Sequence, residues 1–212
     1  MDHLAPRIIA FGCSFTQYIY PTYADILQAK NIGWSGSGNE KIFYHLLHFY
    51  KSKELKDYDI VLLQWSSPYR FDYKSPLGWI GDGNITKQPE IWEKTKGWYN
   101  ENYELEKTIN YIVTANALLE KLGLKVVSLS LDNIVDDNLK IDYNNLLENY
   151  KGNYEYKNTK FIDWHPTILQ HLNLAKNIAK DLGIKLDPAI LNKCHAIHRE
   201  VSTAKQFKEY AL

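Results

Sequence analysis

Residues 58–64 (YDIVLLQ) are the feature that most constrains how this chain can fold. The run is apolar at almost every position, so a strand built from it has no polar face to turn toward water. Shorter runs of the same kind occupy residues 7–11 (RIIAF) and 124–131 (LKVVSLSL). Strands that are apolar on both faces are typical of parallel sheets covered by helices on each side. We therefore expect an α/β protein.

Helical periodicity fills much of the chain between these strands. Apolar residues recur at intervals of three and four in four segments, residues 21–30, 38–50, 101–122 and 166–183. Asn39 is expected to be the N-cap of the second of these helices, and Gly183 to end the fourth. A short helix is expected around Leu146, and brief strands at residues 30–34 and 161–162. The alternation predicts a three-layer, doubly wound parallel sheet of about five strands.

The length of 212 residues favours one principal domain. We expect residues 1–183 to form it and residues 184–212 to form a C-terminal helical tail. Within the domain, residues 65–100 lose periodicity, gather Pro and Gly, and contain four of the six Trp residues. A connection of that length is expected to be a functional, aromatic-rich loop.

Composition excludes several classes of function. Lys plus Arg and Asp plus Glu are both 25, so the formal net charge is zero and no global field favours nucleic acid. No run approaches the roughly 20 apolar residues of a membrane-spanning helix, and the N-terminus lacks the pattern of a signal peptide. Cys13 and Cys194 are the only cysteines, too few for a disulfide framework. We expect a cytoplasmic protein, or a virion protein if it is phage-encoded, that binds neither membranes nor nucleic acid.

Metal and cofactor motifs are weak. The Cys194, His195 and His198 group is short of the four ligands of a structural zinc site. Neither a phosphate-binding loop nor a dinucleotide fingerprint follows the first strand. We expect no metal and no cofactor.

Chemistry-bearing residues follow the first and last predicted strands. Ligands of open α/β sheets lie beyond the carboxyl ends of the strands, and Ser14 (FGCSFT), Asp163 and His165 (FIDWHP) stand there. A Ser hydroxyl becomes a useful nucleophile when an imidazole takes its proton, and a carboxylate fixes the imidazole tautomer. Taken singly, Ser14 is as well explained as a turn residue, Asp163 as a helix cap and His165 as a surface residue.

Together the GCSFT and DWHP blocks resemble the SGNH hydrolases, the GDSL esterase and lipase superfamily, in the variant met in phage and environmental members. The resemblance covers residues 7–65 and 161–182 and implies a flavodoxin-like SGNH hydrolase fold. It also implies that Ser14 is the nucleophile, that His165 is the general base and then acid, and that Asp163 orients His165. The amides of Ser14 and Gly36 would form the oxyanion hole, with Gly38 as the rival of Gly36.

The chain departs from the family pattern in two places. The third block of the family supplies an Asn side chain to the oxyanion hole, whereas this chain has Trp65-Ser66-Ser67-Pro68. We expect the replacement to be a hydroxyl of Ser66 or Ser67, or the Asn39 amide. Losing such a donor altogether costs on the order of a hundredfold in rate. The Asp and His are also two positions apart, where the family usually has three.

Substrate-binding residues are expected at the start of the aromatic loop. Trp65, Ser66 and Arg70 follow the strongest strand, and a guanidinium there can hold a carboxylate or a sugar hydroxyl. Arg70 can equally pair with Asp72, and the aromatic residues can simply close a satellite core.

The sequence therefore predicts a serine ester hydrolase of SGNH type acting on a small acyl ester, such as an acetyl group on a carbohydrate. One alternative is a non-catalytic SGNH-like module that binds a glycan or a protein within a virion or a biosynthetic assembly. Another is an acyltransferase, which would use the same residues in a drier site. The expected partner is a small-molecule or glycan ester, and the sequence leaves the oligomeric state open.

Overall fold

The structure is a computed structural model that describes residues 5–76, 78–80, 89–137, 139–150, 154–155, 162–163 and 165–203. In chain order its elements are β1 (Ile8–Phe11), α1 (Tyr23–Ile26), β2 (Lys30–Asn31), α2 (Asn39–Lys51), a 3-10 turn (Glu54–Asp57), β3 (Ile60–Trp65), β4 (Tyr73–Ser75), β5 (Gly78–Ile80), α3 (Pro89–Thr95), α4 (Glu101–Lys121), β6 (Lys125–Ser130), α5 (Leu146–Asn149), β7 (Tyr154–Glu155), β8 (Ile162–Asp163), α6 (Ile168–Leu182) and α7 (Pro188–Thr203).

The apolar runs of the sequence form one parallel sheet. Its strand order is β2-β1-β3-β6, with Ile9 opposite Val61 and Val61 opposite Val126. Every residue of β1 and β3 is buried, as expected of central strands covered on both faces. The predicted α/β class with a parallel sheet flanked by helices is confirmed.

Helices form the two outer layers. α2 and α4 pack against each other, with α2 also contacting β1 and α4 contacting β6. α1 packs against α6 in the other layer, and α7 packs on α6. α7 lies within the predicted C-terminal tail and contributes Cys194, Ile197 and Val201 to the hydrophobic core. In the part of the chain described, no helix is long and apolar enough to cross a membrane.

The prediction of a fifth parallel strand is wrong for the residues described. β8 pairs antiparallel with β7 instead of extending the main sheet. The free edge of β6 is partly covered by Tyr143, whose backbone accepts from Ser130 N at 2.9 Å and donates to Ser128 O at 3.1 Å. This contact satisfies backbone groups that a fifth strand would otherwise have paired.

The described part of residues 65–100 contains more secondary structure than predicted. Trp65 is the last residue of β3, the hairpin of β4 and β5 follows, and α3 precedes α4. Periodicity did not reveal these elements because three-residue strands and a seven-residue helix are too short to show one.

The helix caps agree with the sequence at one end and differ at the other. Gly183 ends α6 with a φ of 70°, the left-handed conformation that favours glycine at this position. The predicted N-cap role of Asn39 is wrong, because the N-cap of α2 is Gly38 and Asn39 is the first residue of the helix. This shift by one residue releases the Asn39 side chain for contacts outside the helix.

Candidate functional site

Ser14 lies in a tight turn directly after β1, formed by residues 12–16 and called here the serine turn. The N–H groups of Thr16 and Gln17 both donate to Cys13 O, at 2.9 and 3.1 Å. These bonds coil the chain like the first turn of a helix, and they do not use the Ser14 N–H. Ser14 itself is only 3% exposed. A ligand must therefore be narrow to reach this hydroxyl.

Gln64 holds the serine turn to the sheet from the neighbouring strand. Its Oε1 accepts from Cys13 N at 3.0 Å, from Cys13 Sγ at 3.2 Å and from the Thr16 hydroxyl at 3.1 Å. The Cys13 side chain consequently points into the buried interior and away from the position of a nucleophile. The sequence analysis missed Gln64, because one polar residue near the end of an apolar strand carries no local sign of its partner.

Gly12 is required by close packing at the start of this turn. A Cβ atom built on Gly12 would lie 2.0 Å from Thr16 Oγ1 and 2.7 Å from Gln64 Oε1. Both atoms are fixed by the hydrogen bond that joins them. Only glycine allows the backbone to approach the Gln64 side chain this closely.

His165 lies against the segment that follows Ser14, although about 150 residues separate them in the chain. Its ring stacks on Tyr18 with centroids 3.9 Å apart and lies 5.8 Å from the ring of Phe15. The Tyr20 hydroxyl donates to Pro166 O at 3.0 Å, which fixes the chain next to His165. The structure thus brings the predicted base to the serine turn. Asp163 ends β8, and its side chain lies outside what the structure describes.

Residues 34–37, called here the glycine loop, lie beside the serine turn. Trp34 N donates to Gly12 O at 3.0 Å, and Ser37 N donates to Trp34 O at 3.1 Å. Gly36 has a φ of 77°, a left-handed conformation that side chains other than glycine rarely adopt. The two segments predicted to form an oxyanion hole are therefore neighbours.

Asp72 occupies the N-terminus of α2. Its Oδ1 accepts from Gly38 N and its Oδ2 from Lys41 N, both at 2.8 Å. The alternative assignment of Gly38 to the oxyanion hole is therefore wrong, since this carboxylate already takes its N–H. Burial raises the pKa of Asp72, whereas the two N–H donors and the Lys41 charge oppose that rise. The sequence analysis considered Asp72 only as a partner of Arg70.

Asn39 clamps the end of β3 and does not face an open site. Its Oδ1 accepts from Ser66 N at 2.7 Å, and its Nδ2 donates to Ser66 O at 3.1 Å and to Thr108 Oγ1 at 3.0 Å. Since both amide hydrogens are engaged, the assignment of Asn39 to the oxyanion hole is wrong for this arrangement.

The two serines after β3 differ in their surroundings. Ser66 is fully buried, and its hydroxyl has no hydrogen-bond partner among the residues described. Ser67 is partly exposed, and its hydroxyl accepts a long bond of 3.4 Å from Tyr69 N. Neither hydroxyl donates a hydrogen bond to a described residue, so the two predicted donors differ in burial and not in whether their hydrogen is engaged.

The structure places the three predicted substrate-binding residues in different surroundings. Trp65 is 0% exposed and belongs to the core, so its assignment to substrate binding is wrong. Ser66 is buried as described above. Arg70 is partly exposed, and its Nη1 donates to Ser37 O at 3.3 Å, so it braces the glycine loop and does not bind Asp72 as the alternative had it.

Among the residues described, no group of three or more His, Cys, Asp or Glu side chains is placed to hold a metal ion.

Comparisons with known proteins add no family assignment. No protein-family model, curated protein or solved structure matches the chain.

Proposed function

We propose that this protein is a serine ester hydrolase of SGNH type. The observation that carries the proposal is the stacking of His165 on Tyr18, four residues after Ser14. This contact lies beside the tight turn that holds Ser14 at the carboxyl end of a parallel strand, where α/β proteins bind their ligands. Local sequence does not explain why Tyr18 and His165 lie near each other, because the two residues are far apart in the chain.

The reaction follows from the chemistry of these groups. The Ser14 oxygen attacks the carbonyl carbon of the ester while His165 takes its proton. The tetrahedral intermediate collapses, the bond to the alcohol breaks, and His165 returns the proton to the departing oxygen. Water then attacks the acyl enzyme with His165 again as base, which releases the acid and restores Ser14. Asp163 orients the imidazole in this scheme.

The N–H groups of Ser14 and Gly36 stabilise the negative oxygen of the intermediate. Two observations support this role. The Trp34 N–H to Gly12 O bond joins the glycine loop to the serine turn, and the hydrogen bonds inside the turn leave the Ser14 N–H unused. The Ser66 hydroxyl is the third donor and replaces the Asn that the family pattern has and this chain lacks. Its buried, unpartnered state supports the assignment, because such a hydroxyl gains most from an oxyanion.

A small acyl group, such as acetyl, is the substrate that suits the site. Ser14 is 3% exposed, so a long acyl chain would have to displace packed side chains to reach it. The alcohol part of the ester lies outside the buried serine turn and is recognised by the surrounding surface.

A fluorophosphonate probe tests the proposal, because only an activated serine reacts with it at a useful rate. We expect an adduct on the peptide that contains Ser14, and loss of labelling in Ser14→Ala and His165→Gln. Ser52→Ala, at the C-cap of α2, and His195→Gln, on α7, are matched controls at exposed positions and should label normally. Absence of an adduct in folded protein beside an active serine hydrolase would refute the proposal.

The non-catalytic binding module is the second candidate, and one observation favours it. Trp34 and Tyr44 are 57% and 43% exposed, so the protein presents large aromatic surface to solvent. Under this function a ligand binds with the same affinity to wild type and to Ser14→Ala, and neither labelling nor ester cleavage occurs. An acyltransferase is separated from a hydrolase by adding a sugar acceptor and measuring whether the acyl group passes to it or to water.

A further inference from the structure

Lys41 is a largely buried lysine that lies near the Asp72 carboxylate without forming an ion pair with it. The residue lies in the first turn of α2 and is only 3% exposed. Its Nζ lies 4.1 Å from the centroid of the Trp34 ring. Among the residues described, no carboxylate lies within ion-pair distance of this Nζ. Buried charges are normally paired, because an unpaired one loses its hydration without compensation.

The acidic side chains closest to Lys41 are already engaged. Asp72 accepts the backbone N–H groups of Gly38 and Lys41, and Glu40 faces Lys107, with 3.8 Å between Oε2 and Nζ. The His45 ring lies one helical turn after Lys41, with its centroid 6.3 Å from that of Trp34 and 6.4 Å from that of Tyr44. The Lys41 ammonium group beside Trp34 is therefore left without an ion-pair partner among the residues described.

Three aromatic side chains, called here the aromatic stripe, extend from Trp34 across α2 to the hairpin of β4 and β5. The stripe consists of Trp34, Tyr44 and Trp79, with the Tyr44 and Trp79 rings 5.4 Å apart and nearly perpendicular. Lys74 places its Nζ 3.9 Å from the Tyr44 centroid and 5.5 Å from that of Trp79. Rigid aromatic faces of this kind suit sugar rings, which present apolar C–H groups on their faces.

The stripe begins next to the candidate catalytic residues. Trp34 is the first residue of the glycine loop, and its N–H binds Gly12 O in the serine turn. A chain of sugars lying on the stripe would therefore end beside the serine turn. Lys41 stands at this end of the stripe and Lys74 at the other.

We propose that the aromatic stripe binds an acidic oligosaccharide, with Lys41 and Lys74 pairing with its anionic groups, so that the ester substrate is an acyl group on an acidic glycan. The ester part rests on the proposed function, whereas the binding part does not. A neutral glycan would leave Lys41 and Lys74 without an ion-pair partner among the residues described. The shared chemistry is a negative group on a sugar, supplied by a carboxylate or by a phosphate.

Equilibrium binding tests the proposal on the full chain. The probes are a short oligogalacturonate, the same oligosaccharide with its carboxylates reduced to alcohols, and a phosphorylated oligosaccharide of similar length, each titrated calorimetrically at low and high salt. Wild type should bind at least one of the acidic probes at least about tenfold more tightly than the reduced one, and more weakly at high salt. The stronger of the two acidic probes identifies the source of the charge.

Variants locate the binding to the stripe. Lys41→Met keeps the apolar stem of the side chain and removes the charge, and it should weaken binding of the acidic probe at least about tenfold. Trp34→Ala tests the stripe at an exposed position where folding is not at risk, and it should weaken binding of the acidic probe similarly. Lys176→Met, at an exposed position of α6 in the other helical layer, is the matched control and should bind like wild type.

The outcomes separate this inference from the proposed function. Equal binding of the reduced and acidic probes, or binding of none of them, overturns the inference. Unchanged affinity in both Lys41→Met and Trp34→Ala also overturns it. Binding that persists in Ser14→Ala, together with no release of acetate from an acetylated oligogalacturonate and no fluorophosphonate adduct, supports the inference while refuting the esterase.

Discussion

The Gln64 side chain accepts a hydrogen bond from the Cys13 N–H at 3.0 Å, across 51 positions of the sequence. The same oxygen also accepts from the Thr16 hydroxyl. One amide oxygen at the end of β3 therefore sets the shape of the turn that carries Ser14. The geometry of the candidate nucleophile depends on the neighbouring strand as much as on its own.

Gln64→Leu should damage both stability and reactivity. The substitution keeps side-chain volume but leaves the Cys13 N–H buried without its acceptor, which costs about 1–3 kcal/mol of unfolding free energy, whereas the Thr16 hydroxyl keeps its contact with the Tyr23 hydroxyl at 2.9 Å. Urea unfolding measures the first effect, and the rate of fluorophosphonate labelling at Ser14 measures the second. A Gln64→Leu protein that labels at the wild-type rate would show that the bond does not position Ser14.

Gly12→Ala should be strongly destabilising because the new methyl group would meet Thr16 Oγ1 at 2.0 Å and Gln64 Oε1 at 2.7 Å. Overpacking of this kind costs about 1–3 kcal/mol, and here it also breaks the hydrogen bond between the two oxygens. Gly97→Ala is the matched control, since a Cβ at Gly97 meets nothing within 4 Å. Thermal unfolding of the two variants makes the comparison, and equal melting temperatures would contradict the packing described.

Asp72→Asn should loosen the N-terminus of α2 and the glycine loop before it. An Asn offers one acceptor oxygen in place of two, so either the Gly38 or the Lys41 N–H loses its bond, at a cost of about 1–3 kcal/mol. Because Asp72 acts through the backbone, labelling of Ser14 should slow while the labelled site stays the same. Asp57→Asn, at an exposed position, is the control, and a loss of stability equal to that of Asp72→Asn would argue against a special role for Asp72.

Ser66→Ala separates a catalytic hydroxyl from a structural one. Ser66 and Ser130 both bury hydroxyls that have no hydrogen-bond partner among the residues described, so replacing either with Ala should leave stability unchanged or raise it. Only Ser66→Ala should slow ester cleavage, on the order of a hundredfold, as expected for loss of one oxyanion donor. Steady-state kinetics on a small acetyl ester measures this, and equal rates in the two variants would remove Ser66 from the oxyanion hole.

His45 should make the protein less stable in acid. Burial and the charges of Lys41 and His48 lower the pKa of His45 below its ordinary value of 6.5. The unfolded chain then binds this proton at a higher pH than the folded protein, so the free energy of unfolding falls as pH drops below about 6.5.

His45→Gln should therefore lose less stability than wild type between about pH 7.5 and about pH 5.5. Urea unfolding at both pH values gives the comparison, and the measurements at the higher pH, where the imidazole is neutral, report any effect of packing alone. Parallel changes in the two proteins would show that His45 titrates at the same pH in the folded and unfolded states.

Parts of this protein can be derived from the sequence because they depend on local patterns. The aliphatic runs at β1, β3 and β6 predict buried parallel strands, and helical periodicity predicts α2, α4 and α6. Strand ends in a parallel sheet meet at one edge, so the positions of Ser14 and His165 after the first and last predicted strands predict that they lie near each other. The structure places His165 against Tyr18 and Phe15 although β8 lies outside the parallel sheet, so the prediction rested on a strand arrangement that the described residues do not have.

The tertiary structure alone decided which polar groups meet. Gln64 turns its oxygen to the serine turn, Asp72 caps α2 from 31 and 34 positions away, and Asn39 clamps Ser66 where the sequence suggested a helix cap. Periodicity reports which face of an element is apolar, and it carries no information on a single polar residue's partner in a distant segment. Lys41 illustrates the limit: only the tertiary structure shows that this lysine is largely buried beside Trp34 and that the Asp72 carboxylate binds its backbone N–H.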